Sequence, residues 1–266
     1  MKRYMIALLV VACGLFIASA AMAGSAPGTG IVGSKHDLSS TFPTTNPQDN
    51  LNRICIYCHT PHHSYRLSST YGVTGGSGPQ AQSDLFDYLP LWNHTLQLDT
   101  SYQMYQPGPG APTSGSKAPQ VIYDVPMQPG STSLLCLSCH DGTVAVNSYG
   151  NSDQLPESIS AGNNTLNPPY QIGKDLYLGN HHPIGFDYDA VENLDTEIAP
   201  SATTNMGATG TTIKDHLLGP GNTQLECSSC HSVHNKGNLG ETFLWISDQS
   251  SNLCLTCHLK GDISKP

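Results

Sequence analysis

The 266-residue chain is poor in charge. Only 12% of its residues are Asp, Glu, Lys or Arg, and 11 basic residues face 20 acidic ones, a formal net charge of −9. That balance argues against nucleic acid or an anionic membrane surface as a partner. Phenylalanine occurs only 5 times. Beyond the N-terminus no apolar stretch is long enough to cross a bilayer. Helical and strand periods are missing from Tyr71–Ser83, Gln106–Gln120 and Gly150–Pro169, which are rich in Gly, Pro, Ser, Thr and Asn. Taken alone, such segments suggest disorder or long linkers.

What the chain does have is one pattern written four times: Cys-x-x-Cys-His. It stands at Cys55–His59, Cys136–His140, Cys227–His231 and Cys254–His258. Two cysteines at this spacing can add to the two vinyl groups of a haem as thioethers, and the histidine that follows supplies one axial nitrogen to the iron. With 12 histidines in 266 residues, a histidine after all four pairs by chance has a probability of roughly 4 × 10⁻⁶. Two four-cysteine zinc ribbons would use the same residues, but zinc gives no reason for the histidines. Four disulfides are the other alternative, with nothing to choose among their connectivities. The reading is four covalent haems c, attached at Cys55, Cys58, Cys136, Cys139, Cys227, Cys230, Cys254 and Cys257, with His59, His140, His231 and His258 as proximal ligands.

Residues 1–23 read as an export signal that is cleaved. Lys2 and Arg3 precede an apolar run, and Ala21-Met22-Ala23 is a small-x-small cleavage site. An uncleaved anchor is the alternative. Cys13 falls inside the signal; its setting resembles a lipoprotein box with a very short apolar region. Cleavage removes two basic residues and no acid, so the mature charge becomes −11. Export suits haem attachment outside the cytoplasm, and the mature chain should have no membrane span.

The expected fold is a multihaem cytochrome c: mostly coil, short helices at the motifs, very little sheet, and a core formed by the four attached haems. Residues 24–266 are expected to form a single tetrahaem domain with no clean internal boundary. A two-layer domain with its own hydrophobic core is the alternative. First cysteines are 81, 91 and 27 residues apart. Motifs one and three share Cys-x-x-Cys-His-x-x-His, and motifs two and four are each preceded by leucine. This looks like a duplicated two-haem unit, with haems three and four face to face.

Eight histidines remain for the sixth position of each iron. His36, His62, His94, His182 and His234 rank above His63, His181 and His216. His62 and His234 hold matching places three residues beyond a proximal ligand, from which each can reach a neighbouring haem but not its own. Methionine would raise the potential, but only Met104, Met127 and Met206 survive signal removal. Bis-histidine ligation at all four haems is the expectation. It leaves no open iron and points to electron transfer, not to an enzyme.

Ser-Lys-His-Asp-Leu-Ser, CIYCHTPHH, Leu-Trp-Asn-His, CLSCHDGTVAV, His-Pro-Ile-Gly-Phe, CSSCHSVH and LCLTCH follow one another here. In this order they resemble the filament-forming extracellular tetrahaem c-type cytochromes of metal-reducing bacteria. The resemblance covers most of the mature chain; the inserts around Gln106–Gln120 and Leu194–Asp215 carry no motif that matches. It implies four stacked bis-histidine haems, polymerisation into a homopolymer with a continuous haem chain, and one distal histidine from the neighbouring subunit. His36, on what reads as an exposed N-terminal arm, is a reasonable donor in trans, and His94 or His182 could play the same part. Other cytochromes or metal oxides would be the redox partners, at the cell surface or outside the cell. A non-polymeric periplasmic or surface shuttle is the alternative. A multihaem reductase would need one open haem site.

Overall fold

The computed structural model describes residues 26–38, 53–62, 64–68, 72–74, 89–96, 101–106, 127–149, 165–238 and 241–259. The signal segment, Cys13, His63 and most of the three glycine- and proline-rich segments lie outside the described residues.

The described chain is mostly coil. Its strands are short: β1 (Arg66–Ser68) pairs antiparallel with β2 (Gly72–Thr74), and β3 (Phe186–Asp187) pairs antiparallel with β4 (Gln224–Leu225). The second pair sets Phe186 opposite Leu225, which joins the His-His-Pro-Ile-Gly-Phe segment to the lead into motif three. Helices sit where the motifs are. Motif one begins on a 3₁₀ turn, Ile54–Tyr57; motif two lies on α1 (Ser131–His140); motif three on α3 (Cys227–Cys230); motif four on α4 (Asn252–Cys257). Helix α2 (Tyr188–Leu194) starts where Asp187 accepts a hydrogen bond from the Ala190 amide at 2.9 Å.

Helix α1 shows why such a coil-rich chain still holds helices. Leu134, Leu135 and Leu137 are all buried on it, and it ends at Asp141 followed by Gly142 with φ +76°, the left-handed residue that commonly closes a helix. Asp141 is itself buried. Its carboxylate accepts from the Tyr102 hydroxyl at 2.9 Å and from the Thr143 amide and hydroxyl.

Side chains build more of a core than the composition suggests. One cluster joins Tyr65, Trp92, Leu96, Tyr102, Met104 and the α1 leucines, with Cys58 packed against it. A second joins Tyr188, Ala199, Met206, Ile213, Leu217 and Leu225, with Cys257 packed against it. Ile184 touches both. These clusters stand beside the core expected of the attached haems. Scattered tyrosines and leucines with no periodicity converge from distant coil segments, and each cluster flanks one pair of motifs. Met104 and Met206 are buried in these clusters.

The N-terminal arm is not loose. Asn235 donates from its amide nitrogen to the carbonyls of Ala26 and Gly30, the Gly30 amide donates to the Asn235 carbonyl at 2.9 Å, and the Gly28 amide donates to Asn238 Oδ1 at 3.0 Å. The segment after motif three thus holds the arm that carries His36.

Candidate haem-attachment sites

In each motif one helical turn sets the geometry. The amide of the motif histidine donates to the carbonyl of the first cysteine: His59 to Cys55 at 2.8 Å, His231 to Cys227 at 3.1 Å and His258 to Cys254 at 2.9 Å. The turn places both thiols and the imidazole together, as attachment of a flat macrocycle requires. No two of the eight motif cysteines form a disulfide. Among the described residues no group of three or more His, Cys, Asp or Glu is placed to hold a metal ion, so the zinc-ribbon alternative finds no four-cysteine cluster. Burial pushes the Cys58 thiol up to about 11 and the Cys230 thiol up to about 12.

Contacts between thiols order the motifs. Cys58 of motif one acts electrostatically on both Cys136 and Cys139 of motif two. Cys136 shares a thiol hydrogen bond with Cys227 of motif three. Cys230 of motif three feels Cys257 and Cys254 of motif four. The motifs therefore form a row in chain order. At its two ends Cys55 and Cys254 are exposed, while the inner motifs are more enclosed.

Histidine rings face one another across the row. His59 stands 6.1 Å from His234, His140 6.3 Å from His36, and His258 6.1 Å from His182, between ring centres. Two imidazoles on opposite sides of one iron, each about 2 Å from it, would have ring centres about 6.4 Å apart once about 1.2 Å from nitrogen to ring centre is added on each side. All three pairs match that spacing.

Protonation fits as well. A carbonyl only accepts, so the ring nitrogen facing it carries the proton and the other keeps its lone pair. Nδ1 of His59 donates to the Pro90 carbonyl at 2.6 Å, that of His140 to Tyr170 at 2.8 Å, that of His36 to Val233 at 3.0 Å and that of His182 to Pro183 at 2.8 Å. Nε2 is left free in all four, the arrangement in which an outer hydrogen bond orients a metal-binding imidazole. Burial holds His36, His231 and His234 below the ordinary histidine value and so keeps them neutral. Trp92 lies edge-on to His59 at 6.2 Å, and its buried indole N–H meets no acceptor among the described residues. An unmet buried donor costs about 1–3 kcal/mol, and a haem carboxylate is suited to accept it. The residues fit haem.

The other histidines are placed differently. His94 is fully buried, with Nδ1 2.9 Å from the Thr95 carbonyl and Nε2 3.0 Å from the Ala145 carbonyl and 3.3 Å from Cys139 Sγ. Its Nε2 faces no second imidazole. His216 points Nε2 at the Met206 carbonyl, 3.1 Å away, and packs on Trp245 at 4.6 Å. His62 is exposed. His36 is not on the exposed arm expected of it: it is half-buried and turned inward to His140 and Phe243. Among the described residues no second histidine ring faces His231 at the spacing of the three pairs.

The doubled CXXCH motif family matches residues 219–262, which hold motifs three and four. These are the marks of a multihaem c-type cytochrome. The remaining two motifs repeat the pattern outside the matched stretch, and covalent c-type haems and electron transfer follow. No curated protein matches the chain. Among the described residues no helix is long and apolar enough to cross a membrane.

Proposed function

We propose that the exported chain carries electrons along four c-type haems and is a subunit of an extracellular filament of its own copies, delivering electrons to acceptors such as metal oxides. The observation that carries this reading is the set of three histidine pairs at iron-bridging distance together with one proximal histidine, His231, left over. A c-type haem supplies a one-electron couple fixed in place by its two thioethers. The protein's part is to hold imidazoles on both faces of each iron, so that the sites exchange electrons and bind little else. His234 would serve motif one, His36 motif two and His182 motif four.

His231 would take its second imidazole from the next copy. The best donor is His62. It is exposed, it stands three residues beyond His59 at one end of the row, and it keeps away from the three pairs. His94 is too deeply buried to leave its own chain. The row ends are suited to joining copies: Cys55 and Cys254 are exposed, and Leu91 and Leu255, beside the first and within the fourth motif, are exposed apolar residues. Such singly exposed residues are ordinary on protein surfaces; it is their position at both ends of the row that supports end-to-end packing.

The same observation favours a second reading. If His231 has no partner in any copy, its iron keeps an open position, which is what a multihaem reductase requires.

Electron microscopy and electron paramagnetic resonance on the purified protein and on His62→Gln test the choice. The expectation is unbranched filaments with every haem low-spin for the parent, and discrete particles with one high-spin haem for the variant. Discrete particles with one high-spin haem in the parent would favour the reductase, and discrete particles with none would favour a shuttle. A variant that still forms low-spin filaments would remove His62 from the scheme.

A further inference from the structure

We propose that Glu226 is a buried negative charge that clamps the second and third motifs together and lowers the reduction potentials of the groups held there. The inference rests on reading those motifs as haem sites. Glu226 is buried at the base of both. Its Oε1 accepts from the Gly130 amide at 2.9 Å and its Oε2 accepts from the Ser133 hydroxyl. Ser133 completes the bridge, its hydroxyl oxygen accepting from the Cys227 amide at 3.0 Å. One carboxylate thus ties the first turn of α1, which carries motif two, to the first turn of α3, which carries motif three.

The site is built around that carboxylate. A Cβ on Gly130 would stand 2.5 Å from Glu226 Oε1, so the glycine leaves the room the carboxylate fills. The amide and the hydroxyl that donate to it are neutral, and donors of this kind favour the ionised form without cancelling its charge. No other motif has the feature: the residue before the first cysteine is Ile54, Leu135 or Leu253 in the remaining three. Its field reaches the attachment point. Glu226 is the residue directly before Cys227 in the chain.

A fixed negative charge in a weakly screening interior favours the more positive, oxidised state of a nearby iron and so lowers its potential. Gly130, Ser133 and Cys227 are joined through Glu226 and Ser133, so one charge serves two sites in the middle of the row. The structure assigns to Glu226 a step in the potential profile between the inner motifs and the ends.

The test is potentiometric titration of the purified protein, of Glu226→Gln and of Glu226→Asp, with haem content per chain measured by mass spectrometry. In Glu226→Gln, two potentials are expected to rise, each by about tenfold in the oxidised-to-reduced ratio, about 59 mV for a one-electron couple. The other potentials should stay in place, and Glu226→Asp should keep the parent profile. Unmoved potentials in Glu226→Gln would overturn the proposal. So would equal shifts in both variants, which would mean disturbed packing and not lost charge, and so would a failure of both variants to take up haem, which would make the residue a folding clamp only. Haem missing from motif two or three of the parent would instead sink the reading beneath it.

Discussion

His59 and His234 hold their rings 6.1 Å apart with planes inclined by only 26°, although one belongs to motif one and the other follows motif three. The pairing explains how a coil-rich chain keeps a definite shape. Motif histidines are fixed to their cysteines by one turn of helix, but the ring that stands beside each of three of them is brought from a distant segment: His36 by the arm held on Asn235, His182 by the segment joined through β3 and β4. Each pair closes a long loop, whose entropic cost grows only slowly with length.

Removing one second imidazole should therefore alter one site and spare the others. His234→Ala, His36→Ala and His182→Ala are each expected to convert a single haem from low-spin to high-spin without loss of covalent haem. His216→Gln should change none. Electron paramagnetic resonance of each purified variant decides it: a His36→Ala protein with every haem low-spin would break the assignment to His140.

A second prediction concerns Gly185. Its φ is +70°, and a Cβ there would lie 2.0 Å from the Gln128 carbonyl oxygen, while its own amide donates to Leu225 at 2.7 Å and its carbonyl accepts from Gln128 at 2.8 Å. Three segments converge where only glycine fits. Gly185→Ala is expected to cost about 3 kcal/mol, from left-handed backbone strain and the overlap together. Denaturant unfolding measures it. Gly210→Ala, at φ +86° with nothing within 4 Å, should cost clearly less, since only the backbone term remains.

The attachment motifs were legible in the sequence because the chemistry is local: five consecutive residues carry it. Short helices at the motifs followed from the same spacing. The pairings were not legible. Nothing near His36 states that Asn235 will hold its arm, so an inward-facing residue read as exposed. Leu-Trp-Asn-His gives no sign that two backbone carbonyls will face the His94 ring. The side-chain clusters were missed for a related reason: Tyr65, Trp92, Tyr102 and Leu178 meet through loops, and loops leave no period to read.

His94 supplies the last prediction, in pH. Burial pushes its ring down to about 4, against which hydrogen bonds to Ala145 and Thr95 work only in part. In the unfolded chain the ring titrates near 6.5. Between those values the unfolded state binds the proton and the folded state does not, so stability rises with pH across that window. The neutral ring's contribution is complete above about 6.5, declines as the pH falls, and has been lost by about 4, a total of about 3 kcal/mol. Denaturant unfolding at pH 7.5 and 4.5 should therefore show a larger acid-induced loss for the parent than for His94→Gln, which has nothing to protonate there. Equal losses would mean that the His94 ring is not neutral and enclosed in the folded protein, and would return it to the set of possible iron ligands.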